Sequence, residues 1–366
     1  MAVGNLVGSE NSAEDGAGNM TQLVITVDTE VRVGDKALDN PDTQIYGQTA
    51  TGGTYGITYI MDRVSQHGAW CTFFVNVYDT DLWGQETVAD VTREISRRSF
   101  DLELHTHVEH LDMYGRSSAS IVQRGMSECS FERQRGILRD GIARIHKWTG
   151  RCPSWHRAGD LYVNLQTLRA CGEAGLYGDS SFLFGWSQCM GLGIGPAQRN
   201  LPHLFGEVLE LPVTTFQALP LLHYFRHFSL DACTLNELIA VTKEAIRGKL
   251  KYLVLLMHSF SLVKKIGGGY VCHEENCEKL DGFLDFASRV EGLEITPICD
   301  LQKRGLEIVC SEEKTLTRDL YTGFLLTYER AWRHWHRGMK NKVFALVPIL
   351  ACLAALGLVW ATGFLR

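Results

Sequence analysis

The sequence has no surplus of basic residues. Its 36 Lys and Arg stand against 42 Asp and Glu, for a net charge of −6 over 366 residues. That leaves no electrostatic footprint for nucleic acid, which is not an expected partner. Disorder is excluded too, because 45% of the residues are apolar and 21% charged, enough to bury a full core in one large α/β domain or two ordinary ones. The eleven cysteines lack the even count of an extracellular disulfide framework. They are scattered through apolar runs (Cys71, Cys171, Cys299) and read as reduced, buried hydrophobes. Cys272 and Cys277 form one close pair in polar surroundings. No second pair answers it, so Tyr270–Cys277 reads as a surface loop and not as a second metal site.

The first twenty residues lack the basic and apolar blocks of a secretory signal, and residues 1–20 read as a disordered lead-in. Charge of either sign is absent from Val343 to Leu365. Those 23 residues at helical rise cover the roughly 30 Å of a bilayer core. Before them comes a collar with Arg330, Arg333, Arg337, Lys340 and Lys342 beside Trp332 and Trp335. The expectation is a single transmembrane helix over 343–365 and a juxtamembrane connector over 311–342. By the positive-inside rule, the domain before them is cytoplasmic and membrane-anchored.

Between 21 and 310 there is no linker and no internal repeat. Short β-branched or aromatic runs alternate with helical periodicity. Strands are expected at Leu23–Val27, Trp70–Val75, Phe100–Leu104, Ser154–His156, Leu176–Asp179, Val208–Val213, Tyr252–Met257 and Leu293–Pro297. Helices are expected between them, including a long one over Ser117–Trp148 with breaks near Gly125 and Gly136, and a last one over Asp300–Val309. This alternation points to one parallel α/β domain, most simply a barrel. The Gly-rich loop Gly185–Phe205 is a candidate pocket wall.

Chemistry in such folds sits at the carboxyl ends of strands. There the sequence places Asp28 and Glu30, then His105, His107 and His110, then Arg157, Glu210 and His258. Imidazoles and carboxylates at an open mouth suit a divalent metal such as zinc, with a base and an acid for hydrolysis. Each residue alone has an ordinary structural reading, as a surface carboxylate or a satisfied core histidine. Their joint occurrence at strand ends is what singles them out.

These segments resemble, in order, the five motifs of the polysaccharide deacetylase family (NodB homology, carbohydrate esterase family four). Thr26-Val27-Asp28-Thr29-Glu30 is similar to a variant of the first motif. Thr72-Phe-Phe-Val75 matches the second strand, and His105-Thr-His107-Val-Glu-His110 the second motif. Trp155-His-Arg157-Ala-Gly159, Leu209-Glu-Leu-Pro-Val213 and Leu255-Leu-Met-His258-Ser-Phe260 resemble the remaining three. The resemblance covers about residues 21–300. It implies a distorted (β/α) barrel and a metal-dependent hydrolase that removes an acetyl or formyl group from the nitrogen of an amino sugar. It also implies that Arg157 steers the base carboxylate and His258 protonates the leaving amine. The family's adjacent Asp-Asp pair is missing, and Glu109 fills the slot of its second histidine. Asp28 is therefore placed on the metal, and the base is left between Glu30 and Asp28. The metal histidines are taken in the order His105, His110, His107. With the anchor, the expected substrate is a membrane-held, polyprenyl-linked or other glycan precursor. The competing reading is a degenerate, non-catalytic binding subunit of a glycan-synthesis complex.

Overall fold

The computed structural model describes residues 20–305 apart from 33, 36, 113–123, 190 and 220–223. The lead-in (all but Met20), the connector 311–342 and the transmembrane run 343–365 lie outside the described residues. Among the described residues no helix is long and apolar enough to cross a membrane.

The chain begins with β1 (Thr21–Thr29), α1 (Pro41–Gln44), α2 (Ile57–Gln66), β2 (Thr72–Asn76), α3 (Thr80–Trp83), α4 (Gln85–Arg97), β3 (Asp101–Thr106) and α5 (Val108–Asp112). It continues with α6 (Phe131–Thr149), β4 (Trp155–Ala158), α7 (Leu165–Ala174), β5 (Gly178–Asp179), β6 (His203–Phe205), β7 (Val208–Glu210), β8 (Thr215–Leu219) and β9 (Tyr224–His227). Last come α8 (Leu235–Arg247), β10 (Tyr252–His258), β11 (Val263–Ile266), β12 (Gly269–Cys272), α9 (Glu274–Ala287), β13 (Leu293–Ile295) and α10 (Ile298–Arg304). The main sheet runs β10-β1-β2-β3-β4-β5-β7-β6, with β13 paired to the foot of β1. Every pairing in it is parallel except β6 with β7.

The expected barrel is thus a curled sheet with an irregular seam. The run Val208–Val213 stops as a strand at Glu210, and Pro212 has no N–H to donate to a ladder. Across the seam the Thr214 N–H donates to the Val254 carbonyl (3.3 Å), and the Leu230 N–H to the Leu256 carbonyl (3.0 Å). The hairpins β8–β9 and β11–β12 fall where no strand is expected from the sequence.

Alternation along β1 builds two apolar layers. Leu23, Ile25 and Val27 belong to the large core under the helices. Val24 points the other way and joins Phe74, Trp155, Leu209 and Val254, floored by Ile298 and Leu301 of α10. Each such side chain stabilises by about 1.5–3 kcal/mol when fully buried.

The long helix differs from expectation. It starts at Phe131, where Ser130 caps it by accepting from the Arg133 N–H, and it ends at Gly150 with φ 72°. Gly136 lies inside it without a break. Gly141 is the glycine that matters for packing, because a Cβ there would stand 2.7 Å from Leu104 Cδ1 and from the Tyr78 hydroxyl. Such a contact is far inside van der Waals range.

Candidate active site

Period-two geometry decides which side chains reach the mouth. On the inner face of β1 the order from floor to mouth is Val24, Thr26, Asp28 and, just past the strand, Glu30. The β1–β10 register sets Asp28 opposite His258. The β3 register sets His105 beside Asn76 of β2 and Arg157 of β4.

Glu30 is buried, and its Oε2 faces two imidazoles. It lies 2.8 Å from His105 Nε2 and in contact with His107 Nε2. The far nitrogens are also engaged: His105 Nδ1 with the Arg157 carbonyl (2.8 Å), and His107 Nδ1 with Glu109 Oε1 (2.5 Å). A carbonyl and a carboxylate only accept, so each Nδ1 is the donor. In the neutral rings, both Nε2 lone pairs then point at one carboxylate oxygen. Three electron-rich atoms meeting in this way fit a divalent cation of the zinc type, with the outer hydrogen bonds fixing both tautomers. Without a cation, a proton takes its place. Burial opposes charge on His107, yet Glu30 and Glu109 raise its pKa well above the ordinary value. The same histidines, against burial, hold Glu30 well below the usual carboxylate range.

The donor atoms of Glu30, His105 and His107 lie within 4.8 Å of one another. Asp28, placed on the metal from sequence, instead turns to Arg157. The buried guanidinium donates from Nη1 to Asp28 Oδ1 and Thr26 Oγ1 (both 2.8 Å), and from Nε to the Ser180 carbonyl (2.8 Å). It also packs over the Phe74 ring at 4.3 Å. His110 stands behind His107, stacked at 5.1 Å, with Nδ1 on Asp79. Glu210 is buried at the carboxyl end of β7, where its Oε1 accepts from the Phe182 N–H. A further cluster of His156, Cys171 and Asp179 is fully buried, with His156 Nδ1 2.6 Å from Asp179.

His258 faces Glu30 from the other side, its Nε2 4.0 Å from Glu30 Oε1. Its Nδ1 is 3.3 Å from Asp231 Oδ2, which also accepts from Ser261 Oγ at 2.7 Å. Burial disfavours the imidazolium, but the Asp231 hydrogen bond and Glu30 raise the His258 pKa. Asp231 escapes a reading by motif, since it sits alone in the loop before α8.

Asp28, Glu30, His105 and His258 line a cavity of about 190 Å³ together with Leu161, Leu183 and Trp186. Asp160 (φ 48°) and Leu161 (φ 60°) hold left-handed backbone there, a strain of about 1–3 kcal/mol each. The Asp160 carbonyl accepts from Trp186 Nε1 at 3.0 Å, which explains how the Gly-rich loop comes to wall the cavity.

Position 159, two residues after Arg157, is glycine where His107 leaves no room for a side chain. An added Cβ would stand 2.7 Å from His107 Nδ1. Gly159→Ala is expected to push the His107 ring and to weaken metal affinity about 10–100-fold, the scale of a disturbed outer shell. Isothermal titration with zinc checks this, and unchanged affinity contradicts the crowding.

No protein-family model matches the chain, and no curated protein matches it in sequence. Solved structures do match. A provisionally assigned polysaccharide deacetylase from Mycobacterium smegmatis superimposes with TM-score 0.51 at 15% identity, over 81% of this chain and 96% of that one. A family 4 carbohydrate esterase from Streptomyces lividans, solved with acetate, gives 0.38 at 10% identity over 75% and 91%. A pseudoenzyme of the same esterase family from Bacillus anthracis gives 0.40 at 11% identity over 77% and 66%. The first of these shows the fold: the chain folds as a polysaccharide deacetylase of the NodB type.

Proposed function

We propose that the protein is a metal-dependent hydrolase that removes an N-acyl group, acetyl or formyl, from an amino sugar. The observation that carries this reading is the flanking of the Glu30–His105–His107 cluster by Asp28 and His258 at one cavity. A divalent ion held by the cluster, zinc by its donor set, supplies Lewis acidity for the acyl carbonyl and for water. Asp28 accepts the proton of the attacking water. Arg157, donating to Asp28 Oδ1 at 2.8 Å, keeps that carboxylate aimed. His258 gives its Nε2 proton to the departing amine, which is a poor leaving group until protonated, and Asp231 holds the ring in that charge state. Leu161, Leu183 and Trp186 exclude water around the acyl group.

The charge-free run 343–365 and its basic collar support a substrate held at a membrane, such as a polyprenyl-linked glycan precursor reached from the cytoplasmic face.

The acid assignment is tested with two variants. His258→Ala is expected to lose about 10²–10⁴-fold in turnover while keeping its metal. Asp231→Asn removes the group that raises the His258 pKa, so the alkaline limb of the kcat profile moves to lower pH. Unchanged turnover in the first, or an unmoved limb in the second, removes the pair from the mechanism.

A further inference from the structure

Cys272 ends β12, and Cys277 lies in the first turn of α9. Both thiols are free, and their sulfurs are 3.5 Å apart. A disulfide bond is about 2.05 Å long, so rotation of two short side chains comes close to closing the gap. Cys272 is partly exposed and Cys277 is buried. Burial and the neighbouring Cys272 push the Cys277 thiol up to about 12, so the partly exposed Cys272 is the sulfur that an external disulfide can reach.

The residue before Cys277 links this corner to the catalytic face. The Asn276 side-chain amide donates to the Ser261 carbonyl (2.7 Å) and to Asp231 Oδ1 (3.3 Å), and its oxygen accepts from Lys279 Nζ (2.9 Å). One amide therefore ties the first turn of α9 to the carboxylate that orients His258. A cavity of about 360 Å³, lined by Asp231, His258, Phe260 and Asn276 among others, gives the corner space to shift.

We propose that Cys272 and Cys277 form a reversible disulfide which, once made, draws Asn276 off Asp231 and slows proton delivery by His258; the effect on turnover rests on the hydrolase reading above. Glutathione disulfide is the oxidant. The Cys272 thiolate attacks one of its sulfurs and expels a glutathione thiolate. The Cys277 thiolate then attacks Cys272 Sγ in the mixed disulfide and expels the second. Two protein thiols are oxidised, one disulfide is reduced, and the two protein protons end on the two glutathione thiols.

The full-length protein is equilibrated in glutathione buffers of graded ratio and analysed by peptide mass spectrometry and amide hydrogen exchange. The expected result is a peptide spanning 272–277 that loses two hydrogens, regains them with excess glutathione, and exchanges faster around Asp231 when oxidised. Turnover of an N-acyl amino sugar should fall about tenfold in kcat with little change in KM, part of what acid–base catalysis contributes. Cys272→Ser should show neither change. A pair that stays reduced, that stops at the mixed disulfide, or that zinc binds and protects overturns the proposal. A disulfide that leaves both exchange and kcat unchanged overturns the coupling. If no amino sugar is hydrolysed even by the reduced protein, the hydrolase reading fails, while the mass and exchange readouts still decide the thiol pair.

Discussion

Replacing His105 with alanine is expected to abolish both divalent-ion binding and the proposed turnover. His105 is 1% exposed, and its Nδ1 is pinned by the Arg157 carbonyl, so its Nε2 has one direction in which to point. Removing it leaves Glu30 and His107 as two donors, fewer than the three protein ligands of a catalytic zinc site. The loss should exceed the roughly 10–100-fold typical of outer residues. His110→Ala is the matched control. His110 stands behind His107 and bonds Asp79, so that variant should keep its metal. Metal content by plasma mass spectrometry on both variants reads the difference. Equal stoichiometry in His105→Ala and wild type contradicts the ligand set, and loss of metal in His110→Ala moves the second ligand from His107 to His110.

The second large effect belongs to Asp28→Asn. The replacement keeps the volume and an oxygen for Arg157 to bond, but it removes the proton acceptor. Turnover should fall about 10²–10⁴-fold with metal retained. A variant that instead loses its metal makes Asp28 the ligand and Glu30 the base. Arg157→Met separates charge from shape at the same place. Arg157 is wholly buried and pairs with Asp28 at 2.8 Å, so its removal leaves an unpaired buried carboxylate. The expected cost is about 3–5 kcal/mol in denaturant unfolding, in addition to a lower kcat.

What the sequence made legible follows from periodicity. Alternation placed Asp28 and Glu30 on one face, and each of Asp28, His105, Arg157 and His258 stands at the end of a parallel strand as expected. Which carboxylate meets the histidines was not legible. It depends on depth: Arg157 reaches β1 at Thr26 and Asp28, one layer below the mouth, and leaves Glu30 to the imidazoles. The choice between His107 and His110 was hidden for a related reason. The chain turns into α5 straight after His107, and spacing alone does not say which ring follows the strand face. Asp231, the seam and the β8–β9 hairpin depend on contacts across the sheet, between Thr214 and Val254 or Leu230 and Leu256, that no local pattern encodes. The long helix was misread at Gly136 because an exposed position of a helix tolerates a glycine at a cost of only about 1 kcal/mol.

The most direct test is acyl release measured on the intact chain before and after metal removal. Purified protein is stripped with a chelator, then reloaded with one equivalent of zinc, and acetate or formate release from N-acyl amino sugars is followed in each state. The account predicts release by the loaded protein, none by the stripped protein, and recovery on reloading in wild type but not in His105→Ala. Release that persists undiminished after stripping, or no release from any N-acyl amino sugar by the fully loaded protein, contradicts it.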